Sequence, residues 1–311
     1  MPQNELSHEG GPLRLGTRGS KLALVQANMV AAMLGSACEI VVLKTSGDRI
    51  QDRSLADAGG KGLFVKELED ALLGGSIDLA VHSMKDVPVA LPPGLAIAAL
   101  LPREDPRDVF VSVTAKSLEG LPHGARVGTS SVRRAAQIAR LRPDLCVVPL
   151  RGNVDTRLRK LDAVEVDAII LAYAGLKRLG LQARATSLLP TETWLPALSQ
   201  GAMGIEMREQ DPRRSTIAAA LNDEMTSIAI ACERAFQAAL DGSCRSPIAG
   251  LATVADNRLL FRGEVLAPDG SAFVDTSLDV ALGNNPFAEG ARAGREAGLA
   301  IRERAQPWLA L

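Results

Sequence analysis

The chain has 311 residues, 47% of them hydrophobic and 23% charged, a globular composition that excludes disorder or a collagen-like repeat for the bulk of it. Lys+Arg (35) and Asp+Glu (36) leave a net charge of −1, which argues against a surface that binds polyanions everywhere. Only nine residues are aromatic, too few for a protein that stacks single-stranded bases.

Residues 1–12 are polar with no apolar core of a signal peptide, and no run of about 18 apolar residues is present to span a membrane. Cys38, Cys146, Cys232 and Cys244 are scattered, with neither a disulfide framework nor a CxxC pair. His8, His82 and His123 lie far apart, so no metal site is expected. These features point to a cytoplasmic protein with reduced thiols.

In chain order, 13–17 reads as a strand, and Ser20 can cap a helix over 21–34 that Gly35 stops. CEIVVLKT (38–45) is a β-branched strand. The polar, Gly-containing stretch 46–62 is long for a connection and reads as a functional loop. A helix in LFVKELEDALLGG and a strand in IDLAVHS follow. Strand and helix alternate, which predicts α/β architecture with parallel-rich sheets covered on both faces. Prolines 88, 92, 93, 102 and 106 then punctuate the chain, with a boundary near 102–107. The alternation restarts: strands at 109–113, 145–150 and 166–174, a strand running into a turn in ARVGTSS, and helices at 131–141 and 154–162. After about 223 come a helix, strands at 248–255, 258–266 and 272–280, and an Ala-rich helix, the order of a small α+β domain.

Arg outnumbers Lys by 27 to 8, and Arg is the side chain that grips carboxylates in two places. The window 126–160 holds nine cations against Asp144 and Asp155, a net +7. Within it, GTSSVRR sets Thr129, Ser130 and Ser131 between a strand and a helix, with Arg133 and Arg134 in the helix's first turn. N–H groups at such a terminus bind anions, and the same pattern also makes an ordinary Ser cap. LRGNVDTRL repeats the design with Arg151, Asn153 and Arg157. In open α/β sheets the carboxyl ends of strands are where ligands bind. VHSMKDVP ends a strand and presents Lys85 and Asp86; a carboxylate there can accept an N–H and stabilise a developing cation, or form a local ion pair. LGTRGS presents Arg18 and Ser20 at another strand-to-helix turn. GGKG (59–62) lacks the full phosphate-loop pattern, because Leu55 and Gly62 stand in place of Gly and Ser/Thr. Cys244, in DGSCRSP, sits in a turn-rich stretch beside Arg245, so it reads as accessible, whereas Cys38 and Cys146 read as buried in strands.

Taken together, TRGSKLAL (17–24), GGKGLFVKELE (59–69), VHSMKDVP (81–88), GTSSVRR (128–134), LRGNVDTRL (150–158), AGLKRLGL (174–181), LSQGAMGIE (198–206) and DGSCRSPIAG (241–250) resemble the porphobilinogen deaminase (hydroxymethylbilane synthase) family. Lys21 stands where the family often has Pro, Val25 where it often has an aromatic, and Ser243 where it usually has Gly; none of these removes a chemical group.

The resemblance implies two lobes like those of periplasmic binding proteins, with an active cleft between them, plus a small C-terminal domain. Domain 1 is residues 1–103 and 201–222, domain 2 is 104–200, and the cofactor-carrying domain is 223–311. It implies a monomer and a dipyrromethane cofactor joined by thioether to Cys244. Four porphobilinogen molecules add head to tail, each losing ammonia, to give hydroxymethylbilane. Asp86 is the implied catalytic residue. Lys85, Asp86, Thr129, Ser130, Ser131, Arg133, Arg134, Arg151, Asn153, Arg157 and Gln200 are the implied cofactor contacts. Arg18, Ser20, Phe64, Arg151, Arg157 and Arg178 are the implied substrate contacts, and 48–61 matches the family's mobile loop. A non-catalytic two-lobed binder of a polycarboxylate is the alternative, and it leaves Cys244 and Asp86 without a role. Low aromatic content argues against nucleic acid as a partner.

Overall fold

The computed structural model describes residues 11–35, 38–44, 65–241 and 246–309. Phe64, Cys244 and the 46–62 loop lie outside them. The chain divides into two compact units, one of residues 1–103 and 202–227, the other of 104–201 and 228–311.

The first unit begins with β1 (Leu13–Arg18), α1 (Lys21–Leu34) and β2 (Cys38–Leu43). Helix α2 (Lys66–Leu73), β3 (Leu79–Ser83), a 3-10 turn over Met84–Asp86 and β4 (Leu95–Leu100) follow. Strand β10 (Met203–Arg208) and helix α6 (Arg214–Leu221) return from later in the chain. The sheet order is β2-β1-β3-β10-β4. Its first three strands are parallel, and β10 inserts antiparallel between β3 and β4. One face buries Leu13, Leu15, Val81 and Ile205 under Ala27 and Val30 of α1; the other buries Ile77 and Ala80 under Leu68 and Leu72 of α2. Both faces are covered, so β3 reads LAVHS, apolar on both sides until its end.

The second unit repeats the plan. Strands β5 (Asp108–Ser112), β6 (Arg126–Gly128), β7 (Cys146–Val148), β8 (Ala168–Ala172) and β9 (Ser187–Leu188) form a sheet of order β7-β6-β8-β5-β9, again three parallel strands with an antiparallel one inserted. Helices α3 (Val132–Leu141), α4 (Val154–Asp162) and α5 (Tyr173–Arg178) connect them. The same unit carries a three-stranded meander, β11 (Ile248–Ala255), β12 (Arg258–Leu266) and β13 (Phe273–Ala281), packed on α8 (Pro286–Leu309) and on α7 (Glu224–Ala239), which starts in the first unit. Gly294 lets α8 approach α7: a Cβ there would overlap the Cys232 carbonyl.

The sheets are parallel-rich as expected, with one strand in each running against the parallel set; periodicity within a strand carries no signal of its direction. One sequence expectation changes. Cys146 is exposed on the sheet-edge strand β7 rather than buried. Among the described residues Cys232 is the buried thiol, and burial pushes its pKa up.

Candidate active site

In the first unit, two strand ends meet. Strand β1 finishes at Arg18, and Ser20 caps α1 by accepting from the Ala23 N–H at 3.3 Å. Strand β3 finishes at Ser83, whose Oγ accepts from Gln26 Nε2 of α1 at 2.9 Å. The chain then turns over Met84, whose N–H donates to the Ala202 carbonyl at 3.1 Å while its side chain is buried. That anchored turn leaves Lys85 half-buried and Asp86 exposed. Arg18, Ser20, Gln26, His82, Ser83 and Asp86 line one small pocket of about 70 Å³ at the carboxyl ends of β1 and β3. His82 is buried and its Nε2 lies 2.8 Å from Glu206 Oε2, so its ring is fixed from behind the pocket. Sequence reasoning missed Gln26, His82 and Glu206; a glutamate inside the apolar run MGIEM was the available signal.

In the second unit, the parallel neighbours β6 and β7 each run into a helix N-terminus. Ser131 caps α3 by accepting from the Arg134 N–H at 3.4 Å, and its own N–H donates to Thr129 Oγ1 at 3.1 Å. Ser130 Oγ donates to the Leu150 carbonyl at 3.0 Å, tying one turn to the other. Asn153 caps α4 by accepting from the Thr156 N–H at 2.9 Å, and Arg157 Nε donates back to the Gly152 carbonyl at 2.9 Å. Gly152 has φ +107°, and a Cβ there would lie 2.6 Å from Thr156 Cγ2, so only glycine fits this turn. Two helix N-termini side by side, with Arg151 and Arg157 at the second, form a donor set that suits carboxylates. Arg178 donates to the Gly201 carbonyl at 2.6 Å.

Arg133, Arg134 and Gln200, expected as cofactor contacts, have partners of their own within the chain. All three are buried and turn their donors onto Asp108, which is fully buried. Asp108 Oδ2 accepts from Arg133 at 2.8 Å, from Arg134 Nε at 3.2 Å and from Trp194 Nε1 at 2.9 Å; Oδ1 accepts from Arg134 at 2.7 Å and from Gln200 Nε2 at 2.8 Å. Burial alone would raise the Asp108 pKa, but the charges of Arg133 and Arg134 overcome it and hold the carboxyl far below the usual range. Asp108 went unread because its partners lie 25 to 92 residues away. Other cations of the basic window are met too, Arg126 by Asp167 and Arg140 by Glu264 from outside it, and Arg142 by Asp144 within it.

Each unit thus sets cationic and N–H donors at strand-to-helix turns, an arrangement able to hold carboxylate groups. Residues 13–216 match the family model described as porphobilinogen deaminase, dipyrromethane cofactor binding domain, and residues 227–301 match that described as its C-terminal domain. The chain is 52% identical over 298 residues to the porphobilinogen deaminase of Nitrobacter hamburgensis, covering 94% of this chain and 93% of that one, and 51% identical, with the same coverage, to that of Nitrobacter winogradskyi. The chain belongs to the porphobilinogen deaminase family. Among solved structures, a periplasmic substrate-binding protein of an ABC transporter from Coxiella burnetii is 16% identical with a TM-score of 0.42, covering 69% of this chain and 93% of that one. That likeness is too distant to carry function.

Proposed function

We propose that this chain is a hydroxymethylbilane synthase that condenses four porphobilinogen molecules head to tail, with loss of ammonia, on a dipyrromethane carried by Cys244. Membership of the family over both its domains is the observation that carries this reading. The dipyrromethane, when bound, supplies the pyrrole carbon to which the first substrate unit joins. The chemistry of the donor set fits it: a cofactor and product bearing acetates and propionates need several cationic or N–H donors, and the turns at 128–131 and 151–157 provide them.

In this reading Asp86 accepts the pyrrole N–H and stabilises the positive charge that develops as ammonia leaves. Its exposure at the lip of the pocket, on a turn fixed by Met84 and Ala202, suits that task. Arg18, Ser20 and Phe64 orient substrate, and Lys85 contacts the cofactor. Thr129, Ser130, Ser131, Arg151, Asn153, Arg157 and Arg178 hold carboxylates. Arg133, Arg134 and Gln200 serve the cofactor site through Asp108. The chain works as three domains, 1–103 with 201–222, 104–200 and 223–311, as a cytoplasmic monomer with porphobilinogen as its partner and neither nucleic acid nor membrane. Among the described residues no helix is long and apolar enough to cross a membrane.

The test is intact mass after denaturation. Protein expressed with porphobilinogen available should weigh more than its sequence by two pyrrole units, and Cys244→Ser should remove the increment. A bare-chain mass for the unaltered protein would overturn the assignment in favour of a non-catalytic binder.

A further inference from the structure

Two arginines in the first turn of a helix are an unusual choice. The N-terminus of α3 already carries the positive end of the helix dipole, so Arg133 and Arg134 add charge where it is least welcome, and both are buried. Asp108 resolves the conflict. Its two oxygens receive five hydrogen bonds, from Arg133, from Arg134 twice, from Trp194 and from Gln200. One carboxylate against two guanidinium groups leaves one positive charge in excess behind the Thr129–Ser131 turn, a low-dielectric setting in which that excess is weakly screened.

The network does not end there. Arg133 also donates to Gln137 Oε1 at 2.8 Å and to the Leu195 carbonyl at 3.0 Å. Gln137 Nε2 donates to Glu264 Oε1 at 3.0 Å, and Arg140 to Glu264 Oε2 at 3.1 Å, so the chain of bonds runs from β5 through α3 into β12. Gln200 donates a second bond to the Pro106 carbonyl at 2.8 Å. Asp108 thus joins the segments at 133–134, 194 and 200, and Gln200 extends the network to 106.

We propose that Asp108 is a positioning residue for carboxylate recognition: by gathering Arg133, Arg134, Trp194 and Gln200 it fixes the 128–134 turn so that its N–H and hydroxyl donors, backed by one excess positive charge, are preorganised for a ligand carboxylate. This rests on the function proposed above. Preorganised donors lose little freedom on binding, so the gain is made in affinity.

The experiment compares wild type with Asp108→Asn and Asp108→Glu; the glutamate keeps the charge but shifts it, which guards against an unfolded asparagine variant. The readouts are far-UV circular dichroism, intact mass for cofactor loading, and KM for porphobilinogen in the loaded molecules. The expected result is a folded variant whose loaded fraction falls at least about threefold and whose loaded molecules show KM raised about tenfold or more. A merely structural Asp108 would lower the melting temperature and leave both loading and KM of the folded molecules unchanged. Loading and KM within about twofold of wild type in a folded variant overturn the proposal while leaving the function intact. A wild-type protein without mass increment or turnover overturns both.

Discussion

Asp86 is exposed, and nothing in the fold depends on its side chain in the way that the buried Asp108 is depended upon. Asp86→Asn should therefore shift stability by less than about 0.5 kcal/mol, as surface substitutions do. Turnover should fall by about 10²- to 10³-fold, the scale of losing one preorganised electrostatic group. Steady-state kinetics beside a thermal melt checks this, and near-wild-type turnover would remove Asp86 from the chemistry. The contrast between the two aspartates was half visible beforehand. Asp86 could be read because it stands in a local motif with a strand end before it and a proline after it. Asp108 could not, since a lone acid at the head of DVFVS gains meaning only from partners brought to it by folding.

At the scale of single elements, capping and turn chemistry carried over almost unchanged from sequence to structure. Ser20, Ser131 and Asn153 each cap the helix that follows. These are contacts over three residues, and local chemistry decides them. The Gly152 turn is the most constrained of these elements. Gly152→Ala would put a Cβ into Thr156 at a left-handed φ, a strain of about 1–3 kcal/mol. A lower urea midpoint with an unchanged slope is the expected outcome; an unchanged midpoint would mean that the turn relaxes freely. Strand direction was the element-level property that stayed hidden. Strands β5 and β10 look like any apolar strand, and their antiparallel insertion follows from where the chain re-enters each sheet.

Across the whole molecule, buried aspartates that gather arginines recur. Asp78 accepts from Arg14, Arg208 and Arg213, and Arg213 is shared with Asp211. Burial opposes ionisation of Asp78, but the bonds from Arg14 and Arg213 outweigh it and hold its carboxyl well below the ordinary range; the bond from Arg213 lowers Asp211 to about 2. Groups depressed in the folded state stabilise it fully above their unfolded pKa of about 4 and lose that contribution as pH falls toward the folded value. The urea midpoint should therefore fall between about pH 4 and pH 2. Asp78→Asn should cost about 2–4 kcal/mol at neutral pH by stranding the buried Arg213 guanidinium, while water screens the partly exposed Arg14 and Arg208. It should also flatten the acid limb. A wild-type midpoint that does not move over that range would show that these clusters contribute nothing to stability.

The sequence by itself determined the helices, their caps, most of the strands and the motifs that carry the family, because each depends on residues a few positions apart. It also showed an excess of arginine, but not its use. Only the tertiary structure decided that much of the basic 126–160 window faces carboxylates of this same chain, at Asp108, Asp144, Asp167 and Glu264. The reason is physical: a net charge sums along the chain, whereas a guanidinium pairs with whatever acid lies within about 3 Å of it, and that neighbour is chosen by the fold.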